Sequence, residues 1–196
     1  MTGAACSRPP ALIRPIEAVE VLEMPESAAG ASFAVPKLGR EAYLCFFERA
    51  DVTPSPQLFS LLSKEQQLRA DRFKKSLRRN QHVWSRLMLL ALARSMVSVG
   101  EAATVSIEER PPLAPLIHLA GRTLYTSVSH SGNRVACLIS SEPCAIDIEC
   151  FDPDRPFKRY AEVAFSKEVA AALAEEKDEA RAFYCAWGAY ECAVKL

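Results

Sequence analysis

Helical and strand-like segments occupy separate blocks of the chain, and their order is the basis for considering an α+β fold. Apolar residues recur at helical spacing from residue 55 to about residue 100. Short strand-like runs follow, between Thr104 and Glu149. The tail from Pro156 is helical again. This order of segments, with a block of strands between two helical blocks, is compatible with an α+β fold.

The first 39 residues differ from the rest of the chain. They are rich in Ala, Pro, Glu and Ser and show no sustained period, which favours a mobile or loosely packed arm. Four apolar residues near its middle could instead lie on a neighbouring surface: Ile13, Ile16, Val19 and Val21. The aromatic-rich segment EAYLCFFERADV, at 41–52, then predicts a first strand, which the TPSP turn ends.

The remaining elements are predicted from the same patterns. The helical block is expected to form two or three helices that end near Gly100. Four strands are expected after it, at 104–108, 124–129, 134–140 and 145–149. The tail is expected to form two helices on either side of Lys177 and Asp178.

The composition argues against several classes of partner. The chain has 24 Lys plus Arg and 24 Asp plus Glu, so no overall field favours nucleic acid or an anionic membrane. The longest apolar stretch, LMLLALA, is far shorter than the roughly 20 residues of a membrane span. Seven cysteines without CxxC or zinc-type spacing, and a start that lacks a signal-peptide core, predict a cytoplasmic protein.

Two carboxylates in the segment CAIDIE are the first candidate functional residues. If this segment is extended, Asp147 and Glu149 share one face, and Ile146 and Ile148 point to the other face, toward the core. Neighbouring carboxylates repel each other, and a divalent cation such as Mg²⁺ relieves the repulsion while it keeps positions for water and phosphate oxygens. The alternative is an exposed strand edge on which both carboxylates are solvated.

A turn of small residues, SHSGN, precedes this acidic pair. Gly132 and the hydroxyls of Ser129 and Ser131 allow an anion to approach the backbone, and His130 can donate hydrogen bonds to a phosphate. A lone histidine is more often a structural residue. A histidine in a Ser/Gly turn, one strand before an acidic pair, indicates instead a phosphate held beside a metal.

The last helix presents a third carboxylate. In WGAYECAVKL, Trp187, Glu191 and Lys195 recur every four residues and therefore share one helical face. A simpler interpretation is a helix-supporting Glu–Lys pair, worth a few tenths of a kcal/mol. These residues alone leave both interpretations open.

Three motifs follow one another in this chain: SVSHSGNRVACLIS, CAIDIE and WGAYECAVK. Together they resemble the 4′-phosphopantetheinyl transferases of the surfactin-synthetase-activating type, which carry an SHS segment, a (V/I)(G/A)(I/V)D(I/V)E strand and a WxxKExxxK helix in this order. Upstream, LLSKEQQLRADRFKKSLRRNQHVWSRLMLL resembles the LSxxExxRaxrF helix of the family and the arginine-bearing helix after it. The resemblance covers roughly residues 41–196, and the ordered set of motifs is specific.

The resemblance implies an α+β fold, built as two similar α/β halves about a pseudo-twofold axis. After an arm of residues 1–39, residues 40–140 would form the first half, and residues 141–196 a second half that lacks the usual C-terminal strands. The implied activity is Mg²⁺-dependent transfer of the phosphopantetheine group of coenzyme A to a serine of an acyl or peptidyl carrier protein. The other product would be 3′,5′-adenosine diphosphate.

The same resemblance assigns roles to individual residues. Three would be metal ligands: Asp147, Glu149 and Glu191. Four would bind coenzyme A: Ser129, His130, Arg69 and Lys195. Glu191 would also activate the incoming serine, and Lys195 and His130 would stabilise charge during the reaction. Phosphoryl transfer depends mainly on positioning and charge stabilisation, which such residues provide.

The sequence departs from the family pattern at basic positions. Four positions lack a cation that the pattern favours: Gln66, Gln81, Ala114 and Tyr190. Arg78 and Arg79 lie close to Gln81. Two alternatives therefore stay open: a catalytically degenerate relative that binds a carrier protein or another partner, and an unrelated Mg²⁺-dependent phosphohydrolase.

Overall fold

Seven strands form one antiparallel sheet in a computed structural model of the chain, which describes residues 20–23, 32–35, 42–97 and 104–196. The strands are β1 Glu20–Glu23, β2 Ser32–Val35, β3 Ala42–Phe47, β4 Val105–Glu108, β5 Leu116–Leu119, β6 Arg122–Ser131 and β7 Arg134–Ser140. Their order across the sheet is β1-β2-β3-β7-β6-β5-β4. With the helices below, this sheet confirms the predicted α+β class.

Helices precede and follow the block of strands. They are α1 Pro56–Ser60, α2 Lys64–Ala70, α3 Ser76–Ser95, α4 Phe157–Ala164, α5 Lys167–Ala174 and α6 Glu179–Lys195. The prediction of two or three helices in the first block is confirmed, and α3 ends at Ser95. The predicted end at Gly100 lies outside the described residues. The two helices predicted on either side of Lys177 and Asp178 are present as α5 and α6, and α4 is one helix more than predicted.

Side-chain caps explain where several of these helices begin. Ser55 and Ser63 each accept a hydrogen bond from a backbone N–H in the first turn of α1 and α2. Gln66 returns a bond to the backbone of Ser63 and completes a capping box, a pattern that satisfies two otherwise unpaired N–H groups. The Asp178 side chain accepts from the N–H of Arg181 and starts α6.

The strand β7 is buried on both faces. Val135, Cys137 and Ile139 belong to the main core, which α3 covers with residues such as Val83, Leu87 and Met88. Ala136 and Leu138 alternate with them and lie on the opposite face. The continuous apolar run of β7 therefore follows from a central strand with protein on each side.

The second face of β7 is covered by the extended segment 144–150. Ile146 and Ile148 pack there against a small cluster that contains Leu44 and Leu138. The predicted inward orientation of these two isoleucines is confirmed. The prediction of a strand at 145–149 is wrong, since this segment does not pair with a neighbouring strand.

Three strands were not predicted from the sequence. β5 continues the hairpin between β4 and β6, and β1 and β2 lie within the expected N-terminal arm. The other residues of the arm lie outside the described residues. Among the helices described, none is long and apolar enough to cross a membrane.

Candidate functional site

A row of serine hydroxyls on β6 holds the acidic segment against the sheet. Ser127, Ser129 and Ser131 alternate along the strand and therefore share one face. Their hydroxyls accept hydrogen bonds from the backbone N–H groups of Ile146, Ile148 and Cys150, respectively, at 3.0, 3.2 and 3.0 Å. Side chains thus replace the carbonyl groups of a neighbouring strand, which explains why the segment is extended but unpaired.

Two of these hydroxyls also orient the acidic pair. Ser129 Oγ donates to Asp147 Oδ1 at 2.9 Å, and Ser131 Oγ donates to Glu149 Oε2 at 3.1 Å. Both carboxylates line one cavity of about 210 Å³ against α6. The predicted shared face of Asp147 and Glu149 is therefore present in the structure.

The Asp147 side chain is more buried than that of Lys195, with which it forms an ion pair. Its Oδ1 accepts from Lys195 Nζ at 2.8 Å, and Nζ also donates to the Ile146 carbonyl oxygen at 2.9 Å. The other oxygen, Oδ2, is buried and has no hydrogen-bond partner among the described residues. A Cβ added at Gly188 would lie 3.9 Å from this oxygen, an ordinary contact distance, so α6 passes directly beside it.

Glu191, the predicted third metal ligand, does not line this cavity. The α6 residues that do are Arg181, Tyr184, Cys185 and Gly188. Glu191 follows Gly188 by three residues, so it lies about 4.5 Å farther along α6, toward the C-terminal end of the helix. Within the described ranges no group of three His, Cys, Asp or Glu residues is arranged to hold a metal ion. The structure brings together the pair Asp147 and Glu149, without Glu191.

A second cavity, of about 520 Å³, lies between α2, α3, β6 and the end of α6. We call it the basic cavity because of the residues that line it: Arg69, Arg78, Arg86, His130 and Lys195. Three of the four residues predicted to bind coenzyme A are therefore brought together. The fourth, Ser129, uses its hydroxyl to bind Asp147 and the N–H of Ile148.

The His130 side chain contacts Arg78 across the rim of the basic cavity. Nη1 of Arg78 lies 2.8 Å from Nδ1 and 3.2 Å from Nε2 of the imidazole. Desolvation lowers the pKa of His130 below its usual range, and the charges of Arg78 and Lys195 lower it further. The imidazole is therefore neutral near neutral pH.

A buried ion pair that we did not predict, between Arg86 and Glu109, lies at the basic cavity, which Arg86 lines. Glu109 accepts hydrogen bonds from Arg86 Nε at 2.6 Å and Nη2 at 2.7 Å, and from Gln66 Nε2 at 3.3 Å. Burial raises the pKa of Glu109, but hydrogen bonds and charge from Arg86 outweigh it, so the pKa stays below its usual range. The available signal was a charged residue, Arg86, at a core position of an apolar helix.

His82 lies beside this ion pair. Burial lowers its pKa to about 4, and the charge of Arg86 lowers it in the same direction. Its Nε2 atom is buried without a hydrogen-bond partner among the residues that the structure describes. The Phe73 ring lies 5.4 Å from the imidazole, measured between ring centroids. His82 is thus a neutral, desolvated imidazole in the wall of the basic cavity.

The acidic pair and the basic cavity meet at one residue, Lys195, which lines the cavity and binds Asp147. Comparisons with family models and with curated proteins gave no match to this chain. A function is therefore inferred from the motifs and from the geometry of these two sites.

Proposed function

We propose that this chain transfers the 4′-phosphopantetheine group of coenzyme A to a serine of an acyl or peptidyl carrier protein. The observation that carries the proposal is the position of Lys195, whose Nζ lies 2.8 Å from Asp147 Oδ1 while its side chain lines the basic cavity. Phosphates bound in this cavity would lie beside the acidic pair. Cationic side chains next to carboxylates that can hold a metal are what phosphoryl transfer requires.

The proposal includes the fold of this transferase family, with residues 40–140 and 141–196 as its two halves. The first half is supported by a sheet with the long helix α3 against it, and the second by the long helix α6. Residues 141–196 contain no paired strand, so the similarity of the halves rests on their helices.

The acidic pair fits a Mg²⁺ site in part. Asp147 and Glu149 face one cavity, and Asp147 Oδ2 is a buried carboxylate oxygen without a partner among the described residues. Oxygen donors of this kind are the ligands that Mg²⁺ prefers. When bound, the ion would neutralise phosphate charge. Glu191 would complete the set only if its side chain reached this cavity from its position farther along α6.

Side chains of the protein would bind the phosphates and accept the proton of the carrier serine. Lys195 and Arg69 would neutralise the phosphates of coenzyme A, and the neutral imidazole of His130 would donate a hydrogen bond to one of them. Glu191 would accept the proton of the carrier serine. The cavity also contains Ala114 and Gln81, where the family pattern favours cations, so we expect weaker coenzyme A binding than in a protein with the full basic set.

One observation favours a second candidate, a degenerate relative that binds coenzyme A or a carrier protein without turnover. Lys195 already neutralises Asp147, and the described part of the chain has no group of three His, Cys, Asp or Glu residues that could hold a metal ion. Because the ammonium group of Lys195 already lies beside Asp147, the acidic pair would not need Mg²⁺ for its stability.

The mass of a carrier protein after incubation with coenzyme A and Mg²⁺ distinguishes these functions. A phosphopantetheine adduct that is absent with Glu149→Gln supports the transferase. An unchanged carrier, together with calorimetric binding of coenzyme A, supports the degenerate relative. Breakdown of coenzyme A without an adduct would indicate a phosphohydrolase and overturn both proposals.

A further inference from the structure

We propose that Arg78 binds a phosphate group at the rim of the basic cavity, and that Gln81 is a positioning residue that aims Arg78. This inference rests on the proposed function and names the chemistry of one part of its site. The family pattern favours an arginine at position 81, where this chain has glutamine. The contacts of Gln81 explain how Arg78, three residues earlier and about one turn away on α3, can supply the cation instead.

The guanidinium of Arg78 contacts two neutral side chains. Its contacts are with Gln81 Oε1, at 3.1 Å, and with the ring nitrogens of His130, which is neutral near neutral pH. Among the described residues no carboxylate lies within ion-pair distance of it. Arg86 differs, because Glu109 neutralises it. The charge of Arg78 is therefore available to an anion.

Gln81 holds Arg78 in place from the base of the cavity. It is 2 % exposed, and both ends of its amide are used. Nε2 donates to the Gly132 carbonyl oxygen at 2.7 Å, and Oε1 accepts from Arg78. Since Gly132 is in the turn after His130, this amide connects α3 to the turn that carries the imidazole. Arg78 is thus held against His130 before any ligand arrives.

The arrangement suits a phosphate group. A guanidinium presents several N–H donors in a fixed plane that matches phosphate oxygens, and an adjacent imidazole can add a further donor. Arg69 and Lys195 line the same cavity, but each is paired with a carboxylate, Arg69 with Glu109 at 3.8 Å and Lys195 with Asp147 at 2.8 Å, so Arg78 is the unpaired cation of the cavity among the described residues. The ligand class is therefore a phosphate ester, and the test ligand is 3′,5′-adenosine diphosphate.

Calorimetric titration of 3′,5′-adenosine diphosphate into matched variants tests the role of Arg78. Arg78→Met should weaken binding about tenfold to a hundredfold, the effect of losing a charge-assisted hydrogen bond. Arg79→Met is the control, because Arg79 is adjacent in sequence but binds Asp71 at 3.2 Å and stacks on Phe59. This control should bind within about twofold of the unaltered chain.

The positioning role of Gln81 needs a separate readout. The chain has three histidines, so the pKa of His130 can be followed by NMR. Gln81→Met should weaken binding and also raise the pKa of His130, as Arg78→Met does, because the charge of Arg78 lowers that pKa. A substitution that only loosened the fold would change the melting temperature and leave the pKa of His130 unaffected.

The outcomes separate the inference from the proposed function. If the unaltered chain binds neither this nucleotide nor coenzyme A, the proposed function fails and the inference fails with it. If the unaltered chain binds and Arg78→Met binds as tightly as Arg79→Met, the inference alone is overturned. Should Arg78→Met not fold, Arg78→Lys keeps the charge without the planar donor set, and its affinity should fall by about threefold or more.

Discussion

At the scale of single residues, Asp147 differs from an ordinary surface carboxylate. One of its oxygens accepts from both Ser129 and Lys195, and the other is buried without a partner in the described part of the chain. A buried carboxylate oxygen that makes no hydrogen bond is costly unless a ligand binds it. The burial of this atom therefore makes Asp147 the residue whose charge we expect the proposed activity to need most.

Asp147→Asn should remove the charge and keep the shape of the side chain. We expect turnover to fall at least about a hundredfold, as for other losses of charge stabilisation at a phosphoryl group. The Ser129 hydroxyl can still donate to the amide oxygen, so the fold should persist. Transfer kinetics with a thermal melt measure the two effects. Turnover equal to that of the unaltered chain, at any Mg²⁺ concentration, would contradict the proposed metal site.

His82 makes stability depend on pH. Its pKa is lowered from 6.5 to about 4 in the folded chain, so the unfolded chain binds more protons between these values. Stability is therefore complete above about pH 6.5 and falls as the pH decreases toward 4, by on the order of 3 kcal/mol. Glu109 acts in the same direction, since its pKa is also lowered.

Urea unfolding at several pH values checks this effect, with His82→Gln as the variant. Glutamine does not titrate, so the loss of stability between pH 6.5 and 4.5 should be smaller in the variant than in the unaltered chain. His118→Gln is the matched control, because His118 lies on the surface beside Glu108. Equal slopes for the unaltered chain and His82→Gln would show that His82 is not the group responsible.

At the scale of elements, pattern alone predicted some segments better than others. The long apolar period of α3 and the apolar run of β7 were strong signals, and both elements are present. β5 has only four residues, with His118 among them, and is too short for a period to be visible. The acidic segment has the alternation of a strand, but its hydrogen bonds go to side chains, which alternation cannot reveal.

Among the functional residues, those within local motifs were predicted, whereas those far apart in sequence were not. The motifs predicted that Asp147, Glu149, His130 and Lys195 belong to one site, since each lies within a short segment of regular geometry. In the structure they line two cavities, which the bond between Lys195 and Asp147 connects. The ion pair of Glu109 and Arg86 joins residues 23 positions apart, and no local pattern predicts it. The resemblance to the transferase family assigned Glu191 as a metal ligand, and Glu191 is not among the α6 residues that line the acidic cavity.

The serines of β6 offer a test of the acidic segment. Ser129→Ala removes the acceptor for the Ile148 N–H and the donor to Asp147. Leaving such groups unpaired costs about 1 to 3 kcal/mol, so we expect a loss of that size in urea unfolding. Ser127→Ala, which removes only an acceptor for the Ile146 N–H, should cost less. A larger loss for Ser127→Ala than for Ser129→Ala would contradict the role given to the Asp147 contact.

Tyr190 belongs to the packing of α6 and lies away from the basic cavity. Its ring is 5.9 Å from Phe165 and 6.2 Å from Trp187, measured between centroids. Tyr190→Lys should lower stability by about 1 kcal/mol, the value of an aromatic pair, without strengthening coenzyme A binding. Thermal melts and calorimetry measure these quantities, with Val163→Lys on exposed α4 as the control. Tighter binding in Tyr190→Lys would show that position 190 reaches the ligand.

At the scale of the whole molecule, the C-terminal helices form a unit beside the sheet. Aromatic side chains of α4, of Phe165 between α4 and α5, and of α6 pack together, with Phe183 at the centre of the contacts. The end of α6 is joined to the acidic segment by the bonds of Lys195 to Asp147 and to the Ile146 carbonyl oxygen. This junction brings the basic cavity and the acidic pair into one site.

Lys195→Met should loosen this junction and leave the sheet intact. Hydrogen exchange measured by mass spectrometry should become faster in α6 and in residues 144–150, while α3 keeps its protection. Lys158→Met is the control, because Lys158 forms an exposed pair with Glu179 at 3.5 Å. Unchanged exchange in α6 of the Lys195→Met chain would mean that aromatic packing alone holds the helix.

The serine row on β6 also has a consequence for recognising distant relatives. Serines at every second position of the strand accept hydrogen bonds from the N–H of every second residue of the acidic segment. The S-x-S-x-S spacing on the strand and the D-x-E spacing on the segment must therefore stay in the same register. A shift of one residue in either would turn the carboxylates into the apolar cluster. Chains in which both spacings are retained, even at low overall similarity, are therefore expected to share this docked segment.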